Sequence, residues 1–517
     1  MMMSKLPALL LTAASPALLT GSPVPDKMHG APLSAPSTSQ LEGCEPAPSG
    51  KAAHVYYADA ETGSDGMGNG SSALPWQSLQ KALPKLRDGD VLRLRTGNYG
   101  PLALYKRFNT ATVTIEADAG AHPHVDQITI NEASHWRIRG LSVSLPDISS
   151  QPPLPNTYLV RIMGDHHEIR FENNMLGAFP QAGWTQQDYL SRVPSGIREV
   201  SNGNSSCIYI DRNKLRNIGG GIVTVGSQKV SIQGNQIDRF LQDGIDFGSS
   251  QIIIRDNVLT NRINGGDSEK LHPDFMQGQP ARVPGTRDPV PASDILIERN
   301  TAILQTDPDL PFSDKIDPTF VVQGISAFDG DWTRVTIRNN LIITLAYHGI
   351  TLMGVHDSKI VNNTVLGVDR NQKLIPWISI TPAKSMYGTV PSSNVLVANN
   401  ITTGILIDPR NDKITVAHNL VLQGEGPKRR LYSTSDSMLN PRDADRPGQH
   451  GQGNVISPAP YAAIFRRFDT ANLAYDARVR SGLKLPVKPD TDLLPADDIT
   501  GAKRQGTPMI GAFGEAP

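Results

Sequence analysis

Cysteine is nearly absent from this chain: Cys44 and Cys207 are the only two among 517 residues. A metal centre built on thiolates is excluded by that count. One disulfide is open to an exported protein, but no spacing argument brings these two residues together. Aromatics are scarce at 6%, while Gly (46) and Pro (40) are plentiful, a balance that suits many short strands and turns. Net charge is missing too. Lys plus Arg (49) offset Asp plus Glu (50), so no overall field favours a nucleic acid or an anionic membrane as partner. Beyond the N-terminus no stretch is long and apolar enough to cross a bilayer. The N-terminus itself has one cation, Lys5, then a short apolar core from Leu6 and small residues to Ser22. Residues 1–22 therefore read as a signal peptide, which makes the protein secreted or periplasmic. Residues 23–52, rich in Pro, Ser and Ala, read as a disordered linker.

What the chain does have is repetition. A phrase of apolar, any, apolar, any, any, Asn occurs nine times, as in Ile208-Tyr-Ile-Asp-Arg-Asn213, Val230-Ser-Ile-Gln-Gly-Asn235 and Ile252-Ile-Ile-Arg-Asp-Asn257. Asn174, Asn300, Asn340, Asn363, Asn400 and Asn419 close the other copies, and the steps are 39, 22, 22, 43, 40, 23, 37 and 19 residues. A unit of about 22 residues whose apolar positions alternate in twos predicts an all-β solenoid. Its asparagines, stacked at one register, would hydrogen-bond from coil to coil. The solenoid is placed over 53–460, and residues 461–517 are expected to pack on it as a C-terminal extension. Each coil touches only its neighbours, so one long domain replaces the several compact ones that this length would otherwise suggest.

An open solenoid end exposes an unpaired edge and a bare core, so a cap is required. Trp76, Leu79, Leu83 and Leu86 stand at helical spacing, which predicts an amphipathic helix over 76–86. With Val55-Tyr-Tyr57 before it and Gly89-Asp-Val-Leu-Arg-Leu94 after it, this segment resembles the start of secreted right-handed parallel β-helix proteins that act on polysaccharides. Asp498-Ile-Thr-Gly-Ala-Lys-Arg504 with Ile510-Gly-Ala-Phe513 is similar to their closing phrase. The likeness covers about 54–517 and implies that fold, but not one reaction, because the fold carries lyases, hydrolases, epimerases and tailspikes.

A second strand recurs in each coil: Gly220-Gly-Ile-Val223, Asp243-Gly-Ile-Asp246, Asp274-Phe-Met-Gln277, Gln323-Gly-Ile-Ser326 and His348-Gly-Ile-Thr351. The third position should point into the core and the fourth outward, since strand side chains alternate. That aligns Val223, Asp246, Gln277, Ser326 and Thr351 in one outer column, and Asp243 with Asp274 on adjacent coils. Long insertions at 178–206, 263–293, 304–322 and 367–394 should wall a groove along this column, suited to a linear polymer. Trp184 and Trp377 in them would stack on sugar rings or simply pack their loops.

The densest polar set is Asp243, Asp246, Lys270, His272, Asp274 and Gln277. Several carboxylates on one face repel unless a cation or a proton intervenes. Converging oxygens suit Ca²⁺, with Asp243, Asp246 and Asp274 as its ligands, while turn-forming aspartates on a solvated face are the plain alternative. Asp243-Gly-Ile-Asp246 resembles the calcium motif of the family nine pectate lyases. That likeness implies β-elimination on a uronic-acid polysaccharide with a lysine, here Lys270, as base; His272 is a competing base, and Gln277, Arg282 and His348 are expected to contact substrate. The match is partial, because Gln242 replaces an Asp of the pattern and Lys270 comes early. Paired hydrolytic carboxylates, Asp246 with Asp274, are a second reading. Asp-Gly-Ile-Asp and Tyr347-His348-Gly resemble pieces of the polygalacturonase pattern, without its adjacent-Asp pair. C5 epimerisation and a non-catalytic polysaccharide-binding solenoid complete the set. Nothing in the sequence signals an interface, so a monomer is expected.

Overall fold

The computed structural model describes residues 41–146, 157–180, 183–264, 272–282, 289–311, 322–328, 330–368, 376–385, 388–422, 438–439, 448–450, 452–506 and 508–514. The segment read as a signal peptide lies outside these residues. Among the described residues no helix is long and apolar enough to cross a membrane.

The chain winds as a right-handed parallel β-helix, as expected. Strands one coil apart pair in parallel and in register: Ile208 lies beside Val230, Val230 beside Ile252, Ile252 beside Ile295, and Ile295 beside Val335. Two residues on, Ile210, Ile232, Ile254, Ile297 and Ile337 form a second such column. All ten are 0–1% exposed. Alternation along each strand thus becomes continuous apolar stacks along the axis, and burying them is what holds the coils together.

The asparagine column forms the expected ladder. Asn300 Oδ1 accepts the backbone N–H of Asn257 at 3.0 Å and its Nδ2–H at 2.9 Å. In turn Asn300 Nδ2 donates to Ile254 O at 3.0 Å and to Asn340 Oδ1 at 2.9 Å. The ladder runs one rung further than the repeat suggested, because Asn419 donates to Asn454 Oδ1 through both its backbone N–H and its Nδ2. The residue before each rung is left-handed, with φ of 57° at Arg212 and Asp256 and 55° at Arg299 and Asn339. Few non-glycine residues adopt such φ. Here the buried amide on the next residue compensates for it.

The N-terminal cap is built differently from the expected continuous helix. A single α-turn, Leu79–Ala82, passes into a 3-10 turn, Leu83–Lys85. Asp65 accepts the N–H groups of Gln77 and Ser78, and Ser78 caps the helix through Lys81 N–H. Pro84 has no N–H to continue it. The expected apolar face survives, since Trp76, Leu79, Leu83 and Leu86 are all buried over the first coil.

Cys44 and Cys207 form a disulfide across 163 residues of sequence. It fixes part of the segment read as linker: Leu41 and Cys44 pack on Tyr209, over whose ring Arg170 stands at 3.7 Å. At the other end, Tyr461, Ile464, Phe465, Phe468 and Ile510 form a separate apolar cluster with Ile343, Leu366, Ile401 and Leu420 of the solenoid.

Candidate active site

The outer column is assembled by strand register. Arg161 pairs with Arg198, Arg198 with Val223, Val223 with Asp246, Asp246 with Gln277, Gln277 with Ser326, Ser326 with Thr351, and Thr351 with Ser379. Val223 to Thr351 is the expected order, but Ser326 and Thr351, expected to face outward, are 0% exposed. Neighbouring rungs are about 4.8 Å apart.

The aspartates converge where this column meets the corner before the strand. Asp243 Oδ1 accepts the backbone N–H of Asp274 at 2.8 Å, so adjacent coils are tied at the acidic centre. Asp274 is 0% exposed, and its Oδ1 accepts the Ser326 hydroxyl at 2.7 Å. Asp246 is 9% exposed. Two buried oxygens, Asp246 Oδ1 and Asp274 Oδ2, have no hydrogen-bond partner among the described residues. Unpartnered buried carboxylate oxygens are costly, which marks the spot as built for something other than stability.

Burial holds all three carboxyls toward their protonated forms. Burial raises Asp243 to about 7, against the opposing pull of the Asp274 N–H and the Arg262 guanidinium. Asp246 is raised well above the carboxylate range by burial and then by the charges of Asp243 and Asp274. Asp274 is raised by burial and by Asp243, with the Ser326 hydroxyl opposing. Arg262, missed in the sequence, is 4% exposed, donates to Leu241 O at 3.1 Å, and is pushed down to about 10 by burial.

Gly244 explains how the corner closes. A Cβ there would meet Leu259 Cδ2 at 2.4 Å and Phe275 O at 2.7 Å; one at Gly221 would meet Gly244 O at 2.0 Å. Backbone stacks on backbone at this turn, which lets Asp243 reach the Asp274 N–H. Gly244→Ala should therefore cut activity at least tenfold and lower Tm by several degrees, whereas a near-normal variant would show that the corner has slack.

The other expected residues are placed unevenly. Lys270 lies outside the described residues. His272 is exposed, and Gln277 stands in the outer column accepting from Gln279 Nε2 at 2.7 Å. Arg282 is exposed, and Ala281 beside it comes within 3.9 Å of the Cβ position of Gly226, toward the N-terminal side of the acids. Trp184 faces Tyr189 edge-on at 5.6 Å, in an apolar cluster with Leu241 and Ile263, so packing accounts for it. Trp377 heads its strand in register with His348 and is 8% exposed, with its Nε1 unpartnered. His348 Nδ1 sits 2.7 Å from Thr351 Oγ1, and burial lowers its pKa to about 4.

As they stand, Asp243, Asp246 and Asp274 do not bring one oxygen each within 4.8 Å of one another. Among the described residues, the one set of three acidic, thiol or imidazole groups with ligand atoms within 4.8 Å of one another is Cys44, Glu168 and Cys207. Its two sulfurs are already bonded to each other. Asp243 and Asp274 have each committed one oxygen inside the protein.

Arg161 and Arg198 were not singled out in the sequence, although Ser195-Gly-Ile-Arg198 is a further copy of the strand phrase and pairs Ile197 with Ile222.

Fold and site together define a right-handed parallel β-helix with a buried acidic centre on one long face. The chain is similar in structure to XylC, solved in complex with xylose (TM-score 0.50, 10% identity, 89% of this chain and 98% of that one). It is also similar to the PL6 family polysaccharide lyase Pedsa3628 from Pseudopedobacter saltans (0.43, 14%, 84% and 97%) and to pectate lyase Pel9A (0.35, 13%, 90% and 97%). At these identities the likeness shows the fold alone. No protein-family model matches the chain, and no curated protein matches it.

Proposed function

We propose that this chain is a polysaccharide lyase that cleaves a uronic-acid-containing polymer by β-elimination over the Asp243, Asp246 and Asp274 face. The observation that carries the reading is the pair of buried, unpartnered carboxyl oxygens, on groups held protonated, beside a column that runs along the axis. A linear polymer lying on that column presents a sugar carboxylate to Asp246. The protonated Asp246 carboxyl donates a hydrogen bond to it and spreads its charge, which acidifies the neighbouring C5–H. Asp243, half ionised near pH 7, takes the C5 proton. The electron pair forms the C4–C5 double bond, the C4–O bond breaks, and the leaving oxygen takes a proton from the exposed His272. Asp274, fully buried, positions Asp243 and raises the pKa of Asp246 without touching substrate. Lys270 is the alternative base, and the Lys270→Ala and Asp243→Asn variants tell the two apart.

A second reading rests on the same two groups. Asp243 and Asp246 would be the base and the acid of a glycoside hydrolase, Asp243 replacing the Asp274 of the sequence-based pair because Asp274 is 0% exposed. Ultraviolet absorbance on a panel of uronic-acid polysaccharides separates the two. A rising signal from the unsaturated product is expected, unchanged by a chelator. Flat absorbance with new reducing ends would make the enzyme a hydrolase, and loss of signal with chelator would bring calcium into the reaction. As a base Asp243 must be ionised, so kcat/KM should rise with pH through about 7 and fall again as Asp246 deprotonates.

A further inference from the structure

The long face differs chemically on the two sides of the acidic centre. Toward the N-terminus, Arg198 and Arg161 continue the outer column two and three rungs before Asp246, about 10 and 14 Å away at the strand spacing. Arg198 is exposed; its guanidinium lies 5.4 Å from the Tyr158 ring, and no carboxylate pairs with it among the described residues. Ala281, next to Arg282, lies on the same side, 3.9 Å from the Cβ position of Gly226.

Toward the C-terminus the face carries no such cation among the described residues. Its corner column passes from Asp274 to Gln323 and on through His348 to Trp377. His348 and Trp377 form an aromatic floor with Tyr347, whose ring centroid lies 4.2 Å from that of His348 and 5.4 Å from that of Trp377. Two groups there are more than nine-tenths buried and lack partners: the Gln323 Oε1 acceptor and the Trp377 Nε1 donor. An acceptor and a donor beside aromatic rings suit the hydroxyls and apolar face of an uncharged sugar. Burial keeps His348 neutral, so among the described residues that end offers an anion no cation to pair with.

Resting on the lyase reading above, we propose that Arg161, Arg198 and Arg282 hold acidic sugars on the N-terminal side of Asp246, while Gln323, His348 and Trp377 hold an uncharged sugar on the C-terminal side. The substrate is then a heteropolysaccharide cut where an acidic sugar meets a neutral one, not a uniform polyuronate.

Binding to the inactive full-length Asp246→Asn protein tests this with four probes: an alternating galacturonate–rhamnose polymer, polygalacturonate, dextran and dextran sulfate. The alternating polymer should bind at least tenfold tighter than polygalacturonate, and dextran should not bind. Adding Arg198→Gln should weaken both acidic polymers about tenfold and flatten their salt dependence. Adding Trp377→Phe, which keeps a ring and removes the donor, should weaken only the alternating polymer. Preference for polygalacturonate would overturn the two-sided assignment and leave the lyase reading intact. Dextran sulfate binding as tightly as the alternating polymer would overturn it as well, by showing that charge alone is read. Failure of every acidic polymer to bind would overturn both.

Discussion

Asp246→Asn should reduce kcat about a thousandfold and at the same time make the protein more stable at neutral pH. Both effects have one cause. Asp246 is buried with an unpartnered oxygen among two other acids, so its carboxyl is held protonated well above its ordinary pKa. Such a group supplies the hydrogen bond that acidifies the C5–H, and its loss removes a contribution of about 10²–10⁴. It also makes stability depend on pH. A carboxyl raised in the folded state contributes fully below its unfolded pKa, and that contribution drains away as pH rises toward the folded value. Asparagine does not titrate, and its amide can donate to the neighbouring carboxyls. The variant should therefore match the wild type near pH 3.5 and exceed it by about 1–3 kcal/mol at pH 8, read by chemical denaturation at both pH values. A variant that is inactive and also less stable at pH 8 would assign Asp246 a structural role instead.

Asn300→Ala should be the most damaging change away from the acidic centre. Asn257 N–H would lose its acceptor, and Asn257 Nδ2, Ile254 O and Asn340 Oδ1 would each lose a partner. All of these groups are buried, and Asn300 is 1% exposed. At about 1–3 kcal/mol per stranded buried group, a loss of about 3–5 kcal/mol is expected, together with proteolysis in the flanking coils. Asn300→Asp keeps the acceptor and removes the donor, and should be milder at low pH, where the carboxyl can carry a proton. A loss under about 1 kcal/mol for the alanine variant would mean that the apolar columns alone set the coil register.

The repeat was legible because a solenoid writes its register into the sequence. Ladder asparagines, alternating isoleucines and the Gly-Ile phrase each recur once per coil, so stacking Val223 over Asp246 over Gln277 needed only alignment. The pairing of Cys44 with Cys207 was not legible, because an excursion of 163 residues leaves no local trace. Arg262 was hidden for a related reason: it lies outside the phrase and matters only through a neighbouring coil. Arg198 was within reach, since Ser195-Gly-Ile-Arg198 obeys the phrase, but a long insertion separates it from the preceding copy. The division of labour among the aspartates also needed structure, because sequence cannot show that Asp274 is sealed in while Asp243 is partly exposed.

If a polymer reacts on the column through Asp246, it must be seen there. A crystal structure of Asp246→Asn soaked with an acidic oligosaccharide, released by the wild-type enzyme from the polymer it degrades best, tests this most directly. A sugar chain parallel to the solenoid axis is expected, with one carboxylate within hydrogen-bond distance of residue 246 and C5 of the same sugar facing Asp243. A chain bound on another face of the solenoid would contradict it, as would one crossing this face with its carboxylates pointing away from the aspartates.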